Sequence, residues 1–493
     1  MPTQSYVLSR WVFLRSLGVI YLSAFWSLGV QIIGLVGENG ILPVGPYLQA
    51  AHAEYGTAAY WQAPSLCWLS ASDTMLRALT LGGCALAVLL ILDIAPKLVL
   101  GLLWLIYLSL AVAGQIFLNF QWDALLLETG LLALFYAPAG WWPRLAAGSE
   151  PPPIARWLLW LLLWKLMLLS GVTKLLSGDP TWRDLSAMTY HYQTQPLPFW
   201  SSWYAHQWPR WLHQASAVGM YVAEIAAPML IFVPPQLRPL RLFAAGLMAS
   251  LQLMIAATGN YGFFNLLSLA LCLTLFDDGV WRKIWPIRWT PSLPVPQERP
   301  LWRRAALVAA CLILPLSALA FVREVVYTLP GRQVGSLGWG DHVAGWTAPL
   351  RSINGYGLFR VMTTKRPEIA IEGSLDGRIW HEYAFRHKPG DLERRPGFCT
   401  PHMPRLDWQM WFAALNPQGN RGWLLRLAEH LLRGTPEIVP LLDENPFPRE
   451  PPQYVRLVLY DYQFAQREPG SRAWWSRTQQ GYLTPPLSLK AQR

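Results

Sequence analysis

The spacing of its apolar runs constrains this chain more than any other feature. The first run, from about Trp11 to Val36, is long enough to cross the roughly 30 Å hydrocarbon core of a bilayer. Further runs follow at about 75–95, 97–118, 122–138, 155–176, 216–233, 240–258, 261–277 and 304–326, of which 122–138 and 261–277 are short. Only 14% of the 493 residues are charged and 53% are hydrophobic, against roughly 25% charged in a soluble domain. The runs therefore read as membrane helices. The first has no small-residue cleavage site and begins with Arg10 and Arg15, as an uncleaved signal anchor does. The expected fold is a multi-span α-helical membrane bundle of about nine spans over residues 1–327.

The placement of basic residues orients that bundle. With a cytoplasmic amino terminus, the inner segments hold Arg10, Arg15, Lys97, Arg144, Arg156, Arg238, Arg241, Arg282, Lys283, Arg288, Arg299, Arg303 and Arg304. The outer loops hold only Lys174, Arg183 and Arg210, and the acidic first loop, Gly37 to Asp73, has no Lys or Arg. This is the positive-inside pattern, and an odd span count places the remainder of the chain outside the cytoplasm. The 28 tryptophans suit interfacial anchoring in membrane lipid. Basic residues scattered among spans exclude a nucleic-acid surface.

After the proline-rich linker Asp277 to Arg304 and the last run, the composition changes. From residue 328 to 493 charges become frequent and Gly and Pro punctuate shorter hydrophobic runs, which marks a second domain. Pro367 to Arg386 reads as a hairpin turning at Ser374-Leu375-Asp376-Gly377, and Arg456 to Phe464 reads as another strand. Leu406 to Leu415 and Trp423 to Arg433 have helical spacing, the second stopped by Gly434 and Pro436. The expectation is an extracytoplasmic β-rich, sandwich-like domain with helices, packed on the outer face of the bundle.

Chemistry is to be sought in two places. Between Trp182 and His213 lie nine aromatic side chains and three histidines. Such a stretch serves either as an interfacial belt or as a binding surface, for which Trp182, His191, Trp200, Trp203, Trp208 and Trp211 are the candidates. The second place is the set of charges inside apolar runs, Asp123, Glu128, Lys165, Lys174 and Glu224. Each costs roughly 2.5–3.5 kcal/mol even on a lenient insertion scale, so such residues pair or act. Counting depth at about 1.5 Å per helical residue matches Lys165 with Glu224, and Lys174 with Asp123 or Glu128. The five cysteines show neither CxxC nor metal-ligand spacing, and only Cys67 and Cys399 lie outside the runs; their pairing stays open. His206 and His213 lack a third ligand nearby, so no metal site is assigned. No GxSxG, HExxH, P-loop or GxGxxG motif points to a catalytic class or a cofactor.

Several long strings carry a resemblance. They are FQWDALLLETGLLALFYAP (Phe120 to Pro138), SGVTKLLSGDPTWRDLSAMTYHYQTQPLP (Ser170 to Pro198), TGNYGFFNLL (Thr258 to Leu267), NGYGLFRVMTTKRPEIAIEGSLDGRIWHEYAFRHKPGDL (Asn354 to Leu392) and PRLDWQMWFAAL (Pro404 to Leu415). Together they resemble the lipase maturation factor family over nearly the whole chain. The resemblance implies a multi-pass membrane protein that helps a secreted lipase client fold and assemble, in the endoplasmic reticulum membrane of a eukaryote or the cytoplasmic membrane of a bacterium. The shorter string SGVTKLLSGDPTW is also similar to a segment of vitamin K-dependent gamma-carboxylases in which a membrane lysine acts as base. That similarity implies an alternative, a membrane-embedded enzyme with Lys174 as the base, since partial desolvation favours a neutral amine.

Overall fold

The computed structural model describes residues 4–143, 145, 149–284, 298–331, 339–466 and 470–489. Arg144, Arg288 and the heart of the proline-rich linker, 285–297, lie outside the described residues. Among the described residues six helices are long and apolar enough to cross a membrane. They are α1 (Val7–Gly29), α2 (Asp73–Ile91), α3 (Pro96–Ala113), α5 (Pro153–Leu176), α7 (Arg238–Thr258) and α9 (Pro300–Thr328). Their starts follow local chemistry. Proline occupies the first helical position of α3, α5 and α9, where its missing N–H is no loss. The Ser72 side chain caps α2 by accepting from the Met75 N–H.

The expected count of about nine is thus not matched by nine long helices. The remaining apolar runs form shorter or broken ones. α4 (Gln121–Tyr136) has 16 residues, α6 (Arg210–Tyr221) passes into a π turn and then a 3₁₀ turn, and α8 (Phe264–Leu273) is bent by 109° from Asp278–Ile284. The first run also breaks earlier than its composition suggests, with α1 ending at Gly29 and a separate short helix at Ile32–Val36.

Polar contacts gather helix ends into two sets. At one end the Asp278 carboxylate accepts from the backbone N–H groups of Val7, Leu8 and Ser9, the stabilising place for an anion at the start of α1. Arg238 pairs with Asp277 at 2.5 Å, and Arg241 donates to the Tyr6 hydroxyl nearby. At the other end Ser27 and Gln31 of the α1 exit meet the Met403 carbonyl, and Gln31 accepts from the Arg405 N–H.

The carboxy-terminal part carries one four-stranded antiparallel sheet in the order β2-β1-β3-β4, with β1 Pro367–Ser374, β2 His381–Glu382, β3 Tyr454–Phe464 and β4 Trp475–Tyr482. Ile369 and Ile371 stand opposite Leu459 and Leu457. The expected sandwich is corrected here: among the described residues no second sheet faces this one. Helices α10 (Arg405–Leu415) and α11 (Arg421–Arg433) supply the covering layer instead, with Leu406, Met410, Leu424 and Leu427 in the same core as Ile369 and Ile371. The other face of β1 is buried too, because Arg366 donates to the Gln193, Gln195 and Pro196 carbonyls of the segment between α5 and α6 and pairs with Glu368 at 2.9 Å. The hairpin turn forms as read, with Gly377 at φ +74°, a conformation that favours glycine. Strand β4 was not foreseen, since WSRTQQGY is a mostly exposed edge strand without apolar alternation.

One hydrophobic core runs through bundle and sheet layer alike. Their junction is fixed by charge. Arg405 donates to both carboxylate oxygens of Asp123 at 2.6 and 2.7 Å, while the Tyr107 hydroxyl donates to the same carboxylate at 2.5 Å. Arg405 and Asp123 are each 1% exposed. Removing one member of a buried pair strands the other, so Arg405→Met lowers stability by about 3–5 kcal/mol. Thermal unfolding of the purified full chain reads this as a clear fall in the transition temperature.

Candidate functional site

Where α5 through α8 meet, at the end of the bundle that carries Met403 and Arg405, lies a cavity of about 440 Å³. Its inner wall is apolar, with Leu166, Met167, Met220, Leu251 and Phe264, and Phe359 of the carboxy-terminal part closes one side. Two short helices of the connection between α5 and α6, Ala187–Thr194 and Trp200–His206, cover it. One ion pair faces this space. Lys174 Nζ donates to Glu224 Oε2 at 2.7 Å and to the Ser170 carbonyl at 3.1 Å, and sits 5.5 Å from the centre of the Trp182 ring.

The local sequence explains how these two residues meet. Glu224 lies in the π turn Val222–Ala226. Pro228 has no N–H to give to the carbonyl four residues back, which is that of Glu224, so one bond of the regular α-helical ladder is lost at this point. The Ala227 N–H bonds the Val222 carbonyl instead. Such π segments recur at functional sites because they re-aim a side chain. On the facing helix, Gly171 permits the approach: a Cβ there would lie 2.5 Å from Ile225 Cγ1 and 3.0 Å from Glu224 Cβ. Lys174 follows one turn later on the same face of α5.

The remaining intramembrane charges are paired otherwise than depth suggested. Lys165 bonds Glu128 at 2.5 Å, and Glu128 also accepts from the Tyr356 hydroxyl at 2.7 Å and from Asn354. Asp123 belongs to Arg405. The expected pairs Lys165 with Glu224, and Lys174 with Asp123 or Glu128, are therefore corrected. Depth along a helix does not say which helices are neighbours: α5 packs against α4 at the level of Lys165 and against the π turn at the level of Lys174. Nor can it supply Arg405, a partner from outside the spans.

The aromatic candidates separate by place. Trp182 is 2% exposed, and its Nε1 donates to the Phe359 carbonyl. Trp203 is buried against Trp474 and donates to the Ala465 carbonyl. Trp200 and Trp208 stand half-exposed at the cavity rim, and Trp211 is exposed away from it. His191 lines the cavity with its ring edge-on to Phe359, 5.0 Å between centroids. Burial, reinforced by the Lys174 cation, pushes its pKa down to about 4, so the imidazole is neutral at physiological pH. Cys67 and Cys399 are free thiols.

Two further residues of the site, Gln252 and Asn265, carry no formal charge and stand outside the set of charged candidates. Asn265 Nδ2 donates to Gln252 Oε1 at 2.8 Å, both residues line the cavity, and both are buried. Their signal was present: an amide inside an apolar run is nearly as unusual there as a charge.

The Lys174–Glu224 pair yields a stability test. Lys174→Met leaves Glu224 unpaired and lowers stability by about 3–5 kcal/mol, whereas Lys174→Met combined with Glu224→Met restores most of the loss. Thermal transitions of the three proteins in one detergent measure both effects.

Comparison with known proteins agrees with this architecture. Residues 8–283 match the lipase maturation factor transmembrane domain, and residues 352–485 match the lipase maturation factor C-terminal domain. Lipase maturation factor 2 of Mus musculus is 36% identical, with 97% of this chain and 83% of that protein covered. The Homo sapiens protein of the same name is 35% identical over 98% of this chain and 83% of its own length. Lipase maturation factor 1 of Bos taurus is 32% identical over 98% and 89%. No solved structure matches. With both family regions present and similarity extending nearly from end to end, the chain is a multi-pass membrane protein belonging to the lipase maturation factor family.

Proposed function

We propose that this protein assists the folding and assembly of secreted lipases at the extracytoplasmic face of a membrane. The observation that carries this reading is similarity to lipase maturation factors 1 and 2 across 97–98% of the chain. The client meets the outer end of the bundle, where residues 178–213, the acidic first loop and a second unit, residues 328–493, lie together. Exposed aromatics there, Trp211 and the stacked pair Trp61 and Trp346, supply rigid apolar anchors for a partly folded chain. Deleting the gene tests the reading: secreted lipase protein persists while its specific activity falls. Unchanged specific activity would overturn it.

The proposed topology is nine passes with the amino terminus in the cytoplasm. In support, α1 starts at the cluster around Asp278 and ends at the one around Met403, α4 starts beside Arg405 of the second cluster, and α7 starts beside Asp277 of the first. The paired buried charges relieve the cost of short, irregular spans. The membrane is the cytoplasmic one in a bacterium or that of the endoplasmic reticulum in a eukaryote. A reporter fused after Tyr327 is expected to be active outside the cytoplasm; cytoplasmic activity would remove the proposed client surface.

One observation favours a second reading. Lys174, to which the resemblance to gamma-carboxylases would give the role of base, faces a cavity of small-molecule size. The Lys174→Arg variant distinguishes the two. Arginine keeps the cation and the link to Glu224, so a maturation factor retains most lipase maturation at equal membrane abundance. A base that must release its proton loses function with the same substitution, since arginine does not deprotonate in proteins.

A further inference from the structure

We infer that the cavity beside Lys174 and Glu224 is a binding site for one uncharged, single-chain amphiphile drawn from the surrounding bilayer. This goes beyond lipase maturation and does not depend on it. The volume of about 440 Å³ falls within the roughly 300–1,000 Å³ of small-molecule sites, which suits one chain better than a two-chain phospholipid. The walls are apolar save for a few convergent polar groups, the usual composition of such a site.

The rim faces the bilayer at the level of its interface. Met254, 53% exposed, lies four residues, about 6 Å, inside the outer end of α7, beside half-exposed Tyr204 and Trp208. An amphiphile can pass there from the aromatic belt without its chain crossing water. The polar groups then select the head. Lys174 and Glu224 neutralise one another, and no other formal charge lines the cavity among the described residues. An ionic head would add an unbalanced charge in a low-dielectric space, at a cost that an uncharged head avoids. Hydrogen-bonding capacity remains open. Asn265 is 1% exposed and lines the cavity, yet its Oδ1 has no partner among the described residues. A buried amide oxygen of this kind calls for a donor such as a hydroxyl. His191, neutral and also lining the space, offers one donor and one acceptor.

The test uses the full-length protein in phosphatidylcholine nanodiscs with a monoacylglycerol bearing a photoreactive diazirine in its chain. Labelling is expected to saturate and to fall on cavity residues such as Met220, Leu251 and Ile255. Unlabelled monoolein is expected to compete roughly tenfold better than hexadecyl sulfate or hexadecyltrimethylammonium. Leu251→Trp and, separately, Met220→Trp fill the space, and each is expected to reduce saturable labelling about tenfold at unchanged thermal stability. If one variant folds poorly, the other decides. Labelling confined to outward-facing residues, without saturation, would mean bulk lipid contact and overturn the site. Equal competition by either charged probe would overturn the selection for an uncharged head.

Discussion

The contact between Asp123 and Arg405 is the constraint on which the arrangement of this protein depends. A carboxylate at the start of α4 is held by a guanidinium from a helix nearly three hundred residues later, and each is almost wholly buried. Neither is tolerable alone in such surroundings, so the bundle and the carboxy-terminal layer are bound to one another in one register. Glu128 repeats the principle one level deeper, joining Lys165 of the bundle to Tyr356 and Asn354 of the later segment. The carboxy-terminal part is therefore a lid built into the bundle rather than an appendage.

That docking creates the cavity. Phe359 comes with the same segment that delivers Tyr356 to Glu128, and it closes the space over Lys174 and Glu224 while accepting the indole N–H of Trp182 through its carbonyl. Breaks in helix geometry do the rest. The π segment ahead of Pro228 carries Glu224 towards Lys174, and Gly171 lets the facing helix approach. The chain thus carries a charge-balanced cavity within its helical bundle, separate from the exposed aromatics Trp61, Trp211 and Trp346.

Much of this was legible from local pattern. Apolar runs marked the helices because a bilayer demands that every backbone group be satisfied within its own segment. The hairpin at Gly377 and the stop of α11 at Gly434 followed from backbone conformations that favour glycine. Strand β4 was illegible because an exposed edge strand needs no apolar alternation, and the sandwich was a misreading because strands alone do not reveal what covers them. Trp182 and Trp203 looked like surface anchors only because a string of aromatics does not say which rings turn inwards.

The sequence by itself determined the membrane class, the family, most of the charges that must find partners, and the glycine turns at Gly377 and Gly434. These depend on the residue and its immediate neighbours, or on a solvent that imposes the same demand everywhere along the chain. Only the tertiary structure decided which charge meets which. Lys174 found Glu224, Lys165 found Glu128 and Asp123 found Arg405 because helix adjacency and chain return brought them together. Periodicity encodes the face of a helix but not the identity of the helix it faces, and the cavity exists only once those neighbours are chosen.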